Sequence, residues 1–166
     1  MEEKITNAVN VITTKDKNKR FGTTFVVYDP DKVRLRAFVQ MLLLQLENCI
    51  IAPRHMLYER QEDEYHDRYM DLGSSVIGYK HLLVENFNRY MGDTSGILGE
   101  LVSGEFFQLY QMYVEAYDVI KNESIDNDIL NKNIIITTSV DPNSPLSIFS
   151  DKNNKALRAR CKFIAI

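Results

Sequence analysis

Apolar and polar positions alternate differently along this chain, and the change of period divides it into three parts. Val9 to Thr14 is β-branched and runs into the polar stretch Lys15-Asp16-Lys17-Asn18-Lys19-Arg20. Phe21 to Tyr28 is a second β-rich run, so the two predict a β-hairpin with a basic tip. Asp29-Pro30-Asp31 stops the strand, and Asp31 is placed to cap a following helix.

That helix is expected from about Lys32 to Ile51. Stepping 100° per residue, Leu35, Val39, Leu42, Leu43, Leu46 and Ile50 share one face. Val33, Met41, Leu44 and Ile51 fall on the other side among Arg34, Arg36, Gln40, Gln45, Glu47 and Asn48. A helix apolar on two sides is expected to be central for most of its length, sandwiched between a sheet and other helices, with a subunit interface as the alternative. Ala52-Pro53 ends it. Met56 to Asp71 reads as a polar helix, Val76 to Met91 as an amphipathic one, and Glu105 to Lys121 as another, with Gly92 to Gly96 as a loop. From Ile134 the strand pattern returns, with Ile134 to Thr138, Leu146 to Phe149 and Ala156 to Ile166 as candidates. Val11-Ile12-Thr13-Thr14 and Ile135-Ile136-Thr137-Thr138 repeat one apolar–apolar–Thr–Thr motif near the two ends.

The expected fold is therefore a single α+β domain over residues 1–166. N- and C-terminal hairpins (strands about 8–28 and 133–165) build a mainly antiparallel sheet, with a three-helix insert (about 32–122) packed on one face. A chain of 166 residues with 45 % apolar and 26 % charged positions suits one soluble globular domain. No apolar run approaches a membrane span, the start lacks a signal-peptide pattern, and two cysteines do not suggest a disulfide framework. The expectation is a cytoplasmic protein, or one of a host cytoplasm or virion, without a membrane partner.

Charge follows the same three-part division. Residues 1–58 carry nine Lys and Arg against six Asp and Glu, residues 59–131 five against fifteen, and residues 132–166 six against two. Segregation of this kind concerns partners and association rather than fold. The basic candidates for contact are Lys17, Lys19 and Arg20 at the hairpin tip and Arg158, Arg160 and Lys162, which on a strand would alternate with Leu157, Ala159, Cys161 and Phe163. The acidic candidates are Glu59, Glu62, Asp63, Glu64 and Asp67. Like charges at helical spacing disfavour a helix, which suggests a basic surface opposite them.

Catalytic and cofactor signatures do not assemble. Asp63-x-x-His66 has the spacing of one half of a di-metal carboxylate site, but Gly78 and Ala52 stand three residues before the other two histidines. Gly92-Asp93-Thr94-Ser95-Gly96 lacks the Lys-Ser/Thr of a phosphate loop and follows a helix. Cys49 lies in apolar surroundings that make a thiol inert. Tyr110, Tyr113 and Tyr117 share a helix face with no interleaved Arg or Lys, as packing residues do. No cofactor and no metal is expected. The leading functional expectation is a non-enzymatic interaction or assembly subunit that self-associates or binds a protein, such as a ring-forming virion connector. The alternative is a nucleic-acid-binding module using a basic sheet face, and a small enzyme without a recognisable motif comes third.

Overall fold

The computed structural model describes residues 2–14, 23–52, 79–87 and 133–166. In chain order these form α1 (Glu2–Thr13), β1 (Thr24–Tyr28), α2 (Lys32–Gln45), β2 (Cys49–Ile51), β3 (His81–Val84), β4 (Asn133–Thr138), α3 (Asp151–Ala159) and β5 (Cys161–Ala165). The five strands make one sheet in the order β2-β3-β4-β1-β5, and every pairing is parallel. The expected antiparallel sheet with a three-helix insert is therefore wrong.

The reason lies in how parallel strands read. Buried on both faces, they show continuous apolar runs and not alternation. Phe25, Val26 and Val27 of β1 are fully buried, as are Leu82 to Val84 of β3 and Ile134 to Ile136 of β4. Phe25, Val27, Leu83 and Ile135 share one core with Ile5, Ala8, Val9 and Ile12 of α1 and with Leu35, Phe38, Val39 and Leu42 of α2. Val26 belongs to the other face by alternation, and its register partner is Phe163. Phe163 meets Phe149 edge-on at 6.0 Å between ring centres, so the β4–β5 connection covers that second face. Each fully buried aliphatic or aromatic side chain contributes about 1.5–3 kcal/mol by leaving water, which the two-sided burial of this sheet uses fully.

Five expected elements change identity. Val9 to Thr14 is the end of α1, because Ile5, Ala8, Val9 and Ile12 recur at helical spacing and pack on the α2 side of the sheet. The hairpin is thus replaced by a helix followed by a central strand. The long helix stops at Gln45: Leu46 turns extended, Asn48 takes a left-handed φ of 56°, and Cys49–Ile51 becomes an edge strand beside β3. Residues 81–84, expected inside a helix, are β3. Leu146 to Phe149 lies in a run of turns, and the expected strand from Ala156 divides into the end of α3 and β5. The expected cap does form: Val33 N–H donates to Asp31 Oδ1 at 2.8 Å. The other expected helices, between 53 and 78 and between 88 and 122, and the basic tip lie outside the described residues.

Connectivity gives the sheet a natural crevice. From β1 the chain crosses to β2 at one edge, then returns through β3 to β4, and from β4 it passes over β1 to β5 at the other edge. With right-handed crossovers, α2 and α3 lie on opposite faces. β1 and β4 are neighbours whose outgoing connections run in opposite directions. Such a switch point, at the carboxyl ends of parallel strands, is where open α/β sheets bind ligands.

Candidate functional site

At that switch point β1 leads into α2 through only Asp29, Pro30 and Asp31. Asp29 is fully buried, and its Oδ1 accepts the Asp31 N–H at 2.7 Å. Its Oδ2 pairs with Arg34 Nη2 at 2.9 Å, while Arg34 Nε stands 3.8 Å from Asp31 Oδ2. The amino end of α2, where free N–H groups favour an anion, is therefore filled by two carboxylates of the chain itself. A buried carboxylate is tolerable only with such partners. This corner holds the β1–α2 connection in place and puts the chain's own carboxylates where an anion would otherwise be favoured.

Beside it lies a cleft of about 530 Å³ between α2 and the ends of β3 and β4. Its described lining is Lys32, Val33, Leu35, Arg36 and Val39 of α2, Glu85 and Asn86 after β3, and Thr137 of β4. Three local features build it. Thr137 follows Ile135 on the α2 side of β4 by strand alternation, which aims its side chain at the helix. Asn86 takes a left-handed φ of 53°, a conformation that asparagine tolerates better than most residues, and this turns the chain across the end of the sheet. Its N–H donates to Thr137 Oγ1 at 2.9 Å, and Phe87 N–H donates to the Thr137 carbonyl at 2.8 Å. Glu85 is thereby held at the rim, facing the helix that carries Lys32 and Arg36.

The cations expected on one strand face are distributed otherwise. Arg158 lies on α3, Arg160 in the turn after it, and Lys162 on β5, so the alternating basic face does not form. The Arg158 guanidinium donates through Nη1 to the carbonyls of Pro142 at 2.9 Å and Phe149 at 3.0 Å, and through Nη2 to Asn143 Oδ1 at 2.7 Å. It also lies 4.9 Å above the Phe163 ring. Those contacts tie the 139–150 connection to α3 and β5. Arg160 and Lys162 are exposed. Lys17, Lys19, Arg20, Glu59, Glu62, Asp63, Glu64 and Asp67 lie outside the described residues.

Chemically the described residues offer recognition groups rather than a nucleophile. Burial pushes the Cys49 thiol up to about 11 and the Cys161 thiol up to about 12, the latter against an opposing pull from Arg158. Both are protonated at neutral pH. No cluster of three metal-ligating side chains occurs among the described residues, and none of their helices is long and apolar enough to cross a membrane. The cleft was missed in the sequence because it depends on strand order. Lys32 and Arg36 lie in the first two turns of the expected helix, but nothing local put Glu85 and Thr137 opposite them. Compared with protein-family models, curated proteins and solved structures, the chain finds no match.

Proposed function

We propose that this chain is a non-enzymatic interaction subunit, and that α2 carries its contact surface. The supporting observation is the outer side of that helix. Val33 is 76 % exposed and Leu44 88 % exposed, with the exposed Ala37 between them on the same side. The helix was expected to be covered on both apolar sides for most of its length, whereas Val33 and Leu44 leave one of them open to solvent. Exposed single apolar residues are ordinary, but a stripe along one helix beside Lys32 and Arg36 has the mixed character of a contact surface.

The occupant is a second copy of this chain, on grounds of charge. The segment 59–131 carries fifteen acidic against five basic residues, and Glu59, Glu62, Asp63, Glu64 and Asp67 concentrate that charge. A basic-and-apolar helix side on one copy and an acidic segment on the next make a head-to-tail contact, which closes into a ring when its rotation permits. Arg160 and Lys162, both exposed, lie at the amino end of β5 and apart from Lys32 and Arg36, which follow the carboxyl end of β1, whereas Arg158 holds the fold. Sedimentation equilibrium tests the reading directly. The chain is expected to exceed its 19.3 kDa monomer mass at low salt and approach it at high salt. Leu44→Glu is expected to give monomer at all salt concentrations, with the melting temperature of the wild type at high salt, where both are monomeric. A wild-type protein that is monomeric throughout overturns self-association, and a higher mass on added DNA or RNA supports nucleic-acid binding instead.

A further inference from the structure

The cleft at the carboxyl edge contains polar groups that the fold itself does not use. Lys32 and Arg36 stand one helical turn apart, both exposed, and Glu85 is half-buried across from them. None of the three has an ion-pair or hydrogen-bond partner among the described residues; the two ion pairs there both belong to Arg34. The fourth group is more telling. Thr137 is only 1 % exposed, and its hydroxyl oxygen already accepts the Asn86 N–H. A hydroxyl has a proton to donate as well as lone pairs to offer. No acceptor for that proton is found among the described residues, although a buried donor left unmade costs free energy. In a cleft lined by two free cations and a carboxylate, it points to an acceptor that comes from outside.

We infer that the cleft binds a small zwitterionic molecule with two negative charges and one amine, an amino dicarboxylate or an amino phosphomonoester. Among the described residues, two cations against one carboxylate leave an excess of one positive charge, which a ligand of net charge −1 balances. The anionic oxygens lie between Lys32 and Arg36 and take the Thr137 hydroxyl proton, and the amine lies against Glu85. Val33, Leu35 and Val39 supply the apolar wall for the carbon chain. The volume is in the range of small-ligand sites, which pair an apolar lining with a few placed polar groups. The adjacent Asp29–Arg34–Asp31 corner excludes anions from the helix terminus proper, so it directs an acidic ligand toward Lys32 and Arg36.

The probes are aspartate, glutamate and phosphoethanolamine, set against succinate and inorganic phosphate, which lack the amine, and ethanolamine, which lacks the anion. Isothermal titration and thermal unfolding of the full chain are the readouts. At about ten times its dissociation constant, a bound probe raises the melting temperature by roughly 3–5 °C. At least one aminated dianion is expected to do so, and to be preferred over its amine-free counterpart. Arg36→Gln should weaken binding about tenfold or more, since hydrogen bonds to charged groups are strong. Glu85→Gln should remove the preference for the amine while keeping the anion. Both positions are at least partly open to solvent, so the fold survives these changes. Leu44→Glu, which removes the contact with a second copy, should bind the probe at least as tightly as the wild type, because Lys32 and Arg36 serve both readings; probe binding kept by that monomeric variant separates the two. The inference is overturned if no aminated dianion stabilises the chain beyond sodium chloride at equal ionic strength, or if Arg36→Gln and Glu85→Gln leave the binding unchanged.

Discussion

Val11-Ile12-Thr13-Thr14 closes a helix, whereas Ile135-Ile136-Thr137-Thr138 is most of a central strand. The two tetrapeptides differ by a single methylene group at the first position, yet nearly every physical role is different. Val11 is 48 % exposed, and its counterpart Ile135 is fully buried. In the helix, Thr13 Oγ1 donates back to the Val9 carbonyl at 2.9 Å, and Thr14 Oγ1 likewise donates to the Asn10 carbonyl. In the strand, the same two hydroxyl oxygens accept: Thr137 from Asn86 N–H, and Thr138 from Val140 N–H at 3.1 Å. β-branched residues fit a pleated surface well, but that preference is a few tenths of a kcal/mol per residue and yields to packing. What decides is the wider window. Upstream of Val11, apolar residues recur at Ile5, Ala8 and Val9 with polar ones between. Upstream of Ile135 there is Ile134, and both neighbours are buried on opposite faces.

The strongest test replaces the first residue of each copy by alanine. Ile135→Ala should destabilise by about 2–5 kcal/mol, because it empties a site packed by α1, α2 and β1. Val11→Ala should change stability by no more than about 0.5 kcal/mol and in the favourable direction, since alanine is the better helix former. Urea unfolding of both variants measures this. Equal losses would mean that the two segments share one structural role after all.

The next largest effect comes from the threonines. Thr137→Val keeps the shape but leaves the Asn86 N–H without its acceptor, at a cost of about 1–3 kcal/mol. Thr13→Val removes a donor from a carbonyl within a helix and should cost under about 0.5 kcal/mol, because such back-bonding adds little to a helix. Melting curves of the pair separate the two roles, and a smaller loss at Thr137 than at Thr13 would contradict the hydrogen-bond assignment.

How much of this was legible follows from which signals are local. The end of β1, the Asp31 cap, the start of α2 and the strand at Ile134 were all readable, since each depends on a few adjacent residues. Strand direction was not. Leu82-Leu83-Val84 suits one side of a helix and a two-sided strand alike, and only its pairing with β2 and β4 decides. The cleft inherits the same obscurity: Thr137 meets Lys32 and Glu85 through a sheet order that no spacing encodes. The basic cluster near the C-terminus was readable as composition, but its geometry rested on a strand that is half helix.

Arg158 and Arg160 carry the contrast between like residues in unlike surroundings into that region. Arg158→Ser removes three hydrogen bonds and the contact over Phe163, and should cost about 1–2 kcal/mol after allowance for its partial exposure. Arg160→Ser, at an exposed turn, should stay within about 0.5 kcal/mol. Thermal unfolding of each single variant distinguishes them; similar melting temperatures would show that the Arg158 contacts add no stability.

The finest discrimination is available at the second position, where both copies are buried: Ile12 is 2 % exposed and Ile136 not at all. Burial alone predicts the same response to Ile→Leu, a volume-conserving change that usually costs under about 1.5 kcal/mol. Backbone preference predicts a difference. Leucine loses less rotamer freedom than isoleucine in a helix, whereas a branched β-carbon suits the strand. Ile12→Leu should therefore be the milder substitution, by a few tenths of a kcal/mol. So small a gap requires chemical denaturation of both variants side by side with equal denaturant sensitivity. If Ile136→Leu proves the milder, side-chain packing in the sheet outweighs backbone preference even at this position. The two copies would then differ by burial and hydrogen bonding alone.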